Sequence, residues 1–154
     1  DGHDLRDLRP RQIYHHARLV AENGAYCGKA PAITGVAALR HDTLYKYTTV
    51  KTRARLVYTN RMRGTQLRGL GVPEGAWAIE SQMDMIAERI GMDPLHLRLK
   101  NILQEGDINT IGDAVRSIGL RECLEKVAAE IGWGKAKEKN VGRGLAVIAK
   151  SPMR

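Results

Sequence analysis

The sequence has no phenylalanine, and aromatic residues make up only 5% of it. A core built from it must rest on Leu, Ile, Val and Ala. Cysteine is nearly as scarce: Cys27 and Cys123 stand far apart, with no CxxC pair. That spacing argues against a structural zinc site or a protein-ligated iron–sulfur cluster built on thiols. Two isolated thiols read as simple core or surface residues, and they fit a reducing, cytoplasmic compartment. No apolar run approaches the roughly 20 residues needed to span a bilayer, and nothing resembles a secretory leader. Internal repeats and low-complexity tracts are absent as well.

What is present is the material of one ordinary domain or two small lobes: 154 residues, enough to bury a core. Hydrophobic residues at 43% and charged residues at 27%, mixed rather than blocked, exclude wholesale disorder. The net charge of +8 points to a polyanion, whether nucleic acid, a phosphate-bearing cofactor or an acidic partner. The charge is dispersed, however, and a merely basic surface explains it equally well. Lys135, Lys137 and Lys139 around Glu138 read as a solvated linker. The chain begins at Asp1 without Met and stops soon after an apolar run at residues 145–149, which as a strand would want a partner. This is the expectation for a piece of something longer.

Residues 1–11 are polar and basic and read as loosely held. In residues 12–21, Ile13, His15, Ala17 and Leu19 alternate with Tyr14, His16, Arg18 and Val20, the period of a strand. "AYCGKAPAITG" comes next and reads as irregular around Pro31. Residues 45–58 alternate more cleanly: Val50, Thr52, Ala54, Leu56 and Tyr58 share one face, and Lys51, Arg53 and Arg55 the other. That basic face is either solvated or turned to an anionic ligand. Three helices are then signalled. Pro73 suits a first helical position, ahead of an apolar stripe of Ala76, Ile79, Met83, Ile86, Ala87 and Ile90. Asp93-Pro94 is an N-cap with proline behind it, opening a helix with Leu95, Leu99, Ile102 and Leu103 on one side. Leu120, Leu124, Val127, Ala128 and Ile131 form the third, ending at Gly132. The expected class is α+β: N-terminal strands, three helices and a final strand. The division expected is a strand-rich lobe at 1–60, a glycine-rich loop and helical lobe at 61–134, and a linker with further strand at 135–154.

The stretch "GTQLRGLGVPEG" gathers Gly64, Gly69, Gly71 and Gly75 around one cation, Arg68. As a Walker A loop it fails, because Leu70 and Gly71 stand where the Lys and the hydroxyl residue belong. As a dinucleotide fingerprint it lacks the tight strand–turn–helix and the following acidic strand end. Two readings stay open: a loop whose main chain approaches a bulky anion with Arg68 projecting into it, or a glycine-rich turn with a surface arginine. His15 and His16 could ligate a metal, but no third ligand is in view. Glu80 and Asp84, one helical turn apart, are an acid pair or a structural device.

Tyr58-Thr59-Asn60, Arg68-Gly69, Gly71, Pro73, Glu80, Asp84, Gly91, Asp93-Pro94, Arg98 and Asn101 occur in the order of a known pattern. So does "ENGAY" at 22–26, and "GLRECLEKVAAEIGW" and "GRGLAV" match the downstream segments of bacterial members. The chain thus resembles the molybdopterin-binding large subunit of the xanthine dehydrogenase/aldehyde oxidase family over most of its length. The resemblance implies a loop lining a molybdenum site, with Gln66, Leu67, Arg68 and Gly69 at the cofactor, Arg68 as the catalytic contributor and Leu70 toward the substrate pocket. It assigns no protein ligand to the metal. Leu67 and Leu70 replace aromatics, which puts stacking on a flat purine in doubt, and Glu74 stands where glutamine is common. Glu80 and Asp84 are implied to be structural, holding the loop through capping bonds, and Arg98 and Asn101 to anchor the second helix. The implied setting is a small-molecule hydroxylase, with 2Fe-2S clusters and FAD in partner domains or subunits and no membrane. The family's upstream glycine loop and late general-base motif are not found here, so the chain alone should not turn over. Two rivals remain: a basic module for nucleic acid or another polyanion using Lys51, Arg53 and Arg55, and a purely structural subunit of a molybdenum enzyme.

Overall fold

A computed structural model of the chain describes residues 13–42, 44–66 and 68–149. Residues 1–11, expected to be loosely held, lie outside these. Two strands, β1 (Tyr14–Gly24) and β2 (Thr49–Tyr58), pair in parallel from Tyr14↔Thr49 to Ala21↔Leu56, with an irregularity between Glu22 and Gly24. Parallel neighbours cannot be joined by a hairpin and need a crossover. Helix α1 (Ala30–Arg40) supplies it. This corrects the irregular stretch expected around Pro31. Pro31 sits in the first turn, where its missing N–H costs nothing. The buried stripe of α1 is Ala30, Thr34 and Ala37, too small and too weakly apolar to register as an amphipathic pattern.

Alternation holds along β1 and, in β2, at Val50, Thr52 and Leu56; Ala54 and Tyr58, expected on the same face, are exposed. His15, Ala17, Leu19 and Ala21 are half-buried, as are Val50, Thr52 and Leu56. Lys51, Arg53 and Arg55 are exposed, and the register sets His16 opposite Lys51 and Arg18 opposite Arg53. The basic face is therefore wider than one strand.

The three expected helices are α2 (Val72–Arg89), α3 (Pro94–Asn101) and α4 (Leu120–Glu130). The stripe of α2 is buried at Ile79, Met83 and Ala87, but Ile86 and Ile90 are exposed. They fall outside the arc that Val72, Gly75, Ile79, Met83 and Ala87 turn inward. Asp93 caps α3 by accepting from the His96 main-chain N–H (2.9 Å), as its position ahead of Pro94 leads one to expect. Its other oxygen accepts from the Trp133 indole (2.8 Å), which ties the end of α4 to the start of α3. Tyr45, Ile79, Met83, Ala87, Leu97, Ile102, Leu124 and Val147 make one core among the helices.

Inside that core lies a polar cluster. Arg98, 0% exposed, donates from Nε to Glu80 Oε2 (2.8 Å), from Nη1 to Asp84 Oδ1 (2.7 Å) and from Nη2 to the Glu80 carbonyl (3.1 Å). Glu80 also accepts from the Tyr45 hydroxyl (2.5 Å) and the Val147 N–H (3.1 Å). Burial works against the charge on Arg98, but the hydrogen bonds to Glu80 and Asp84 outweigh it and raise its pKa. Burial and the bond to Glu80 likewise push the Tyr45 hydroxyl up, keeping it a donor. Glu80 and Asp84 are thus structural, but they clamp α3 and the C-terminal segment; no capping bond to the glycine loop is made among the described residues. Nor is a final strand formed among the described residues, residues 150–154 lying outside them. Residues 141–149 join no ladder among the described residues, since the Val147 donor is committed to Glu80 while Leu145 and Val147 are buried.

Arg98→Ala would strand Glu80 in the core without its cation. The expected loss is about 3–5 kcal/mol, read by urea unfolding. A loss of about 0–1 kcal/mol, the level of an exposed pair, would contradict this account of the core.

Candidate functional site

Parallel pairing brings the C-terminal ends of β1 and β2 to the same edge, the place where open α/β sheets hold ligands. The segments leaving both strands are stitched together there. Thr59 N donates to Gly24 O (3.1 Å), Ala25 N donates to Arg61 O (3.0 Å), and the Thr59 hydroxyl donates to Glu22. Gly24 has φ 75°, and a Cβ on it would lie 2.5 Å from Arg63 Cα, so the strand end and the loop meet main chain to main chain.

Behind this junction is a basin of about 420 Å³ lined by Gly28, Lys29, Arg63, Gly64, Thr65 and Gln66. Two cationic side chains make it attractive to an anion. The side-chain amide oxygen of Gln66 is buried with no hydrogen-bond partner among the described residues. Asn23, 0% exposed at the end of β1, has neither side-chain amide atom hydrogen-bonded among the described residues. Buried amides without partners are uncommon in folded chains and call for a ligand or water. Sequence reading picked out Gln66 by resemblance only, and no periodicity signals such an orphaned atom.

Arg68 is exposed and, among the described residues, makes no hydrogen bond or ion pair. Leu67 lies outside the described residues. Gly69, Leu70 and Gly71 have φ of 85°, 50° and 87°. For Leu70 that is a strained conformation of the kind concentrated at functional loops. The glycines divide into two groups. A Cβ on Gly69 would lie 2.5 Å from the Pro73 ring, one on Gly71 2.2 Å from Ile33 O, and one on Gly75 2.9 Å from His41 Cβ. These three serve close packing within the chain, which corrects the idea that the whole glycine run clears space for a ligand. Gly64 is different: a Cβ there would meet only Glu22 O at 3.9 Å. The open flank of the loop is at Gly64. Glu74, in the first turn of α2, suits the positive end of that helix.

On the other side of β1, a groove of about 790 Å³ runs between the strand and the two helices α1 and α2, past Leu19, Ala37, Trp77 and Ile79. Trp77 is 75% exposed at its rim. His15 and His16 both border this groove, His15 half-buried and His16 exposed. His15 Nε2 is 3.0 Å from His41 Nε2, and Asp42 is adjacent, so partners that looked absent in sequence are supplied from 26 residues away. Burial, then the His41 ring, lowers the His15 pKa.

The family model described as the molybdopterin cofactor-binding domain matches residues 13–102. The chain belongs to the molybdopterin cofactor-binding domain family. It is 32% identical over 136 residues to the xanthine dehydrogenase molybdenum-binding subunit of Escherichia coli O157:H7, covering 84% of this chain and 18% of that protein. It is 35% identical over 109 residues to the nicotinate dehydrogenase large molybdopterin subunit of Eubacterium barkeri, covering 70% of this chain and 26% of that one. Among solved structures, aldehyde oxidoreductase from Desulfovibrio gigas superposes with a TM-score of 0.68 at 30% identity, over 76% of this chain and 13% of that one. The chain therefore spans about a fifth of the length of the relatives it matches. The α+β class and the family both hold. As a molybdopterin cofactor-binding domain, the chain combines a junction edge, a cationic basin and, on the adjoining loop, an arginine without a partner among the described residues. No helix among the described residues is long and apolar enough to cross a membrane.

Two substitutions separate the two kinds of glycine. Gly71→Ala should destabilise the fold by more than the roughly 1–2 kcal/mol of left-handed strain alone, because its methyl group meets Ile33 O. Gly64→Ala should change stability by no more than about 0.5 kcal/mol. Thermal unfolding of the two variants side by side checks the assignment.

Proposed function

We propose that the loop at 61–71 forms one wall of the cofactor site of a molybdenum hydroxylase. In this reading Gln66, Leu67, Arg68 and Gly69 contact the molybdopterin cofactor, and Leu70 borders the substrate. The observation that carries it is the buried side-chain amide oxygen of Gln66, without a partner among the described residues, beside Lys29 and Arg63. Its donor-seeking oxygen and the two cations fit a group that brings both N–H donors and a phosphate, as a molybdopterin does. Bound there, the cofactor would supply oxidative hydroxylation of an electron-poor carbon.

The chain's own residues would bind and orient. Lys29 and Arg63 would neutralise the phosphate, and Gln66 would fix the ring system through a single acceptor. Arg68, exposed and without a partner among the described residues, would turn its forked donors to oxyanions at the reacting end. Leu70 offers an aliphatic contact where an aromatic would stack, which favours an aldehyde or a small heterocycle over a purine. The remainder of the molybdenum subunit would cover the groove at Trp77, and electrons would leave through 2Fe-2S clusters and FAD in partner domains or subunits of a cytoplasmic enzyme. The exposed band of Arg18, Lys51, Arg53 and Arg55 supports a second reading, a polyanion-binding face whose affinity would fall steeply with salt.

Arg68→Ala in the complete enzyme tests the proposal. Turnover of an aldehyde and N-heterocycle panel should fall by about 10²–10³, the effect of removing one donor to developing negative charge, while bound molybdenum stays. Unchanged turnover would make the loop structural. Unchanged turnover together with salt-sensitive polyanion binding would favour the second reading.

A further inference from the structure

At the start of β1, the end opposite Gly24 and beside Gly75 of α2, three metal-ligating side chains converge. His15 comes from β1, and His41 and Asp42 from the end of α1. The two Nε2 atoms are 3.0 Å apart, His41 Nε2 is 3.8 Å from Asp42 Oδ2, and all three ligand atoms lie within 4.8 Å of one another. A tetrahedral ion with bonds of about 2.0–2.1 Å holds its ligand atoms about 3.4 Å apart, so the cluster needs only small adjustments to close on one.

The surroundings are those of a prepared site. His41 Nδ1 lies 3.1 Å from the Ala38 carbonyl, which fixes the proton on Nδ1 and leaves Nε2 as a bare lone pair. Thr110 donates to Asp42 Oδ1 (2.9 Å), orienting the carboxylate so that Oδ2 faces the rings. Asp42 is 2% exposed, and among the described residues its ion-pair partner is His41 alone, a cation only when protonated. A buried carboxylate beside two imidazoles is short of positive charge. The Tyr47 ring lies tilted against His15 with ring centroids 4.7 Å apart, and its buried hydroxyl has no partner among the described residues.

We infer that His15, His41 and Asp42 bind a zinc-class divalent cation that clasps the end of α1 to the start of β1. Two imidazoles and one carboxylate suit Zn²⁺ and leave a fourth position for water on the groove side. This site is independent of the molybdenum cofactor and uses none of its residues.

The test uses the natively purified assembly, dialysed against Zn²⁺ and then metal-free buffer, with metals counted by plasma mass spectrometry. About one zinc per chain is expected, and Co²⁺ in its place should give the intense visible absorption of a tetrahedral ion. His15→Gln, on a half-exposed strand position, and His41→Gln should both lose the metal, and Thr110→Val should weaken binding roughly 10-fold. Circular dichroism of His15→Gln verifies that the variant is folded. Wild-type protein that retains no zinc, or a folded His15→Gln that retains as much as wild type, would overturn the proposal.

Discussion

The helical half of the molecule is organised by the carboxylate of Glu80. It lies within α2, 5% exposed, and takes the Arg98 guanidinium from α3, the Tyr45 hydroxyl from ahead of β2 and the Val147 N–H from the C-terminal segment. A buried ion pair is a poor source of net stability, since its attraction mainly offsets the cost of leaving water. Its value here is in register. Four segments distant in sequence can satisfy these groups in one arrangement only, and an apolar substitute would let them slide. With the body of α2 fixed this way, the start of the helix is fixed too.

That start is where fold and site join. Gly71 and Gly75 let the start of α2 approach the main chain of α1 at Ile33 and Ala37, and His41 just beyond it, to backbone contact. The glycine loop therefore runs between two anchored points, the edge of the parallel strands and the first turn of α2. A loop held at both ends can keep an exposed arginine and a strained leucine in place without spending them on internal contacts. His41, just past the end of α1, packs against Gly75, so one crossover helix positions both the start of α2 and the histidine cluster.

Much of this was legible in the sequence where local chemistry signals it. Asp93-Pro94 and Pro73 announce helix starts through capping and fixed φ, and the alternation at 50–58 gives β2 and its basic face. α1 was not legible, because its inward face is alanine and threonine and periodicity depends on large apolar side chains. Missing it also hid the parallel topology, since a parallel pair needs that crossover. At the site, Arg68 and the glycines stood out, but the division of the glycines into packing and open positions depends on α1. The pairing of His15 with His41 and of Glu80 with Arg98 spans 26 and 18 residues, beyond any local pattern.

In the proposed function, the loop at 61–71 faces the molybdenum cofactor. The most direct measurement is a crystal structure of the native assembly with anomalous scattering recorded at the molybdenum absorption edge. The account expects the molybdenum peak beside Arg68, with the Gln66 carbonyl engaged by the cofactor. A peak remote from this loop, with Gln66 and Arg68 facing only protein or solvent, would contradict it.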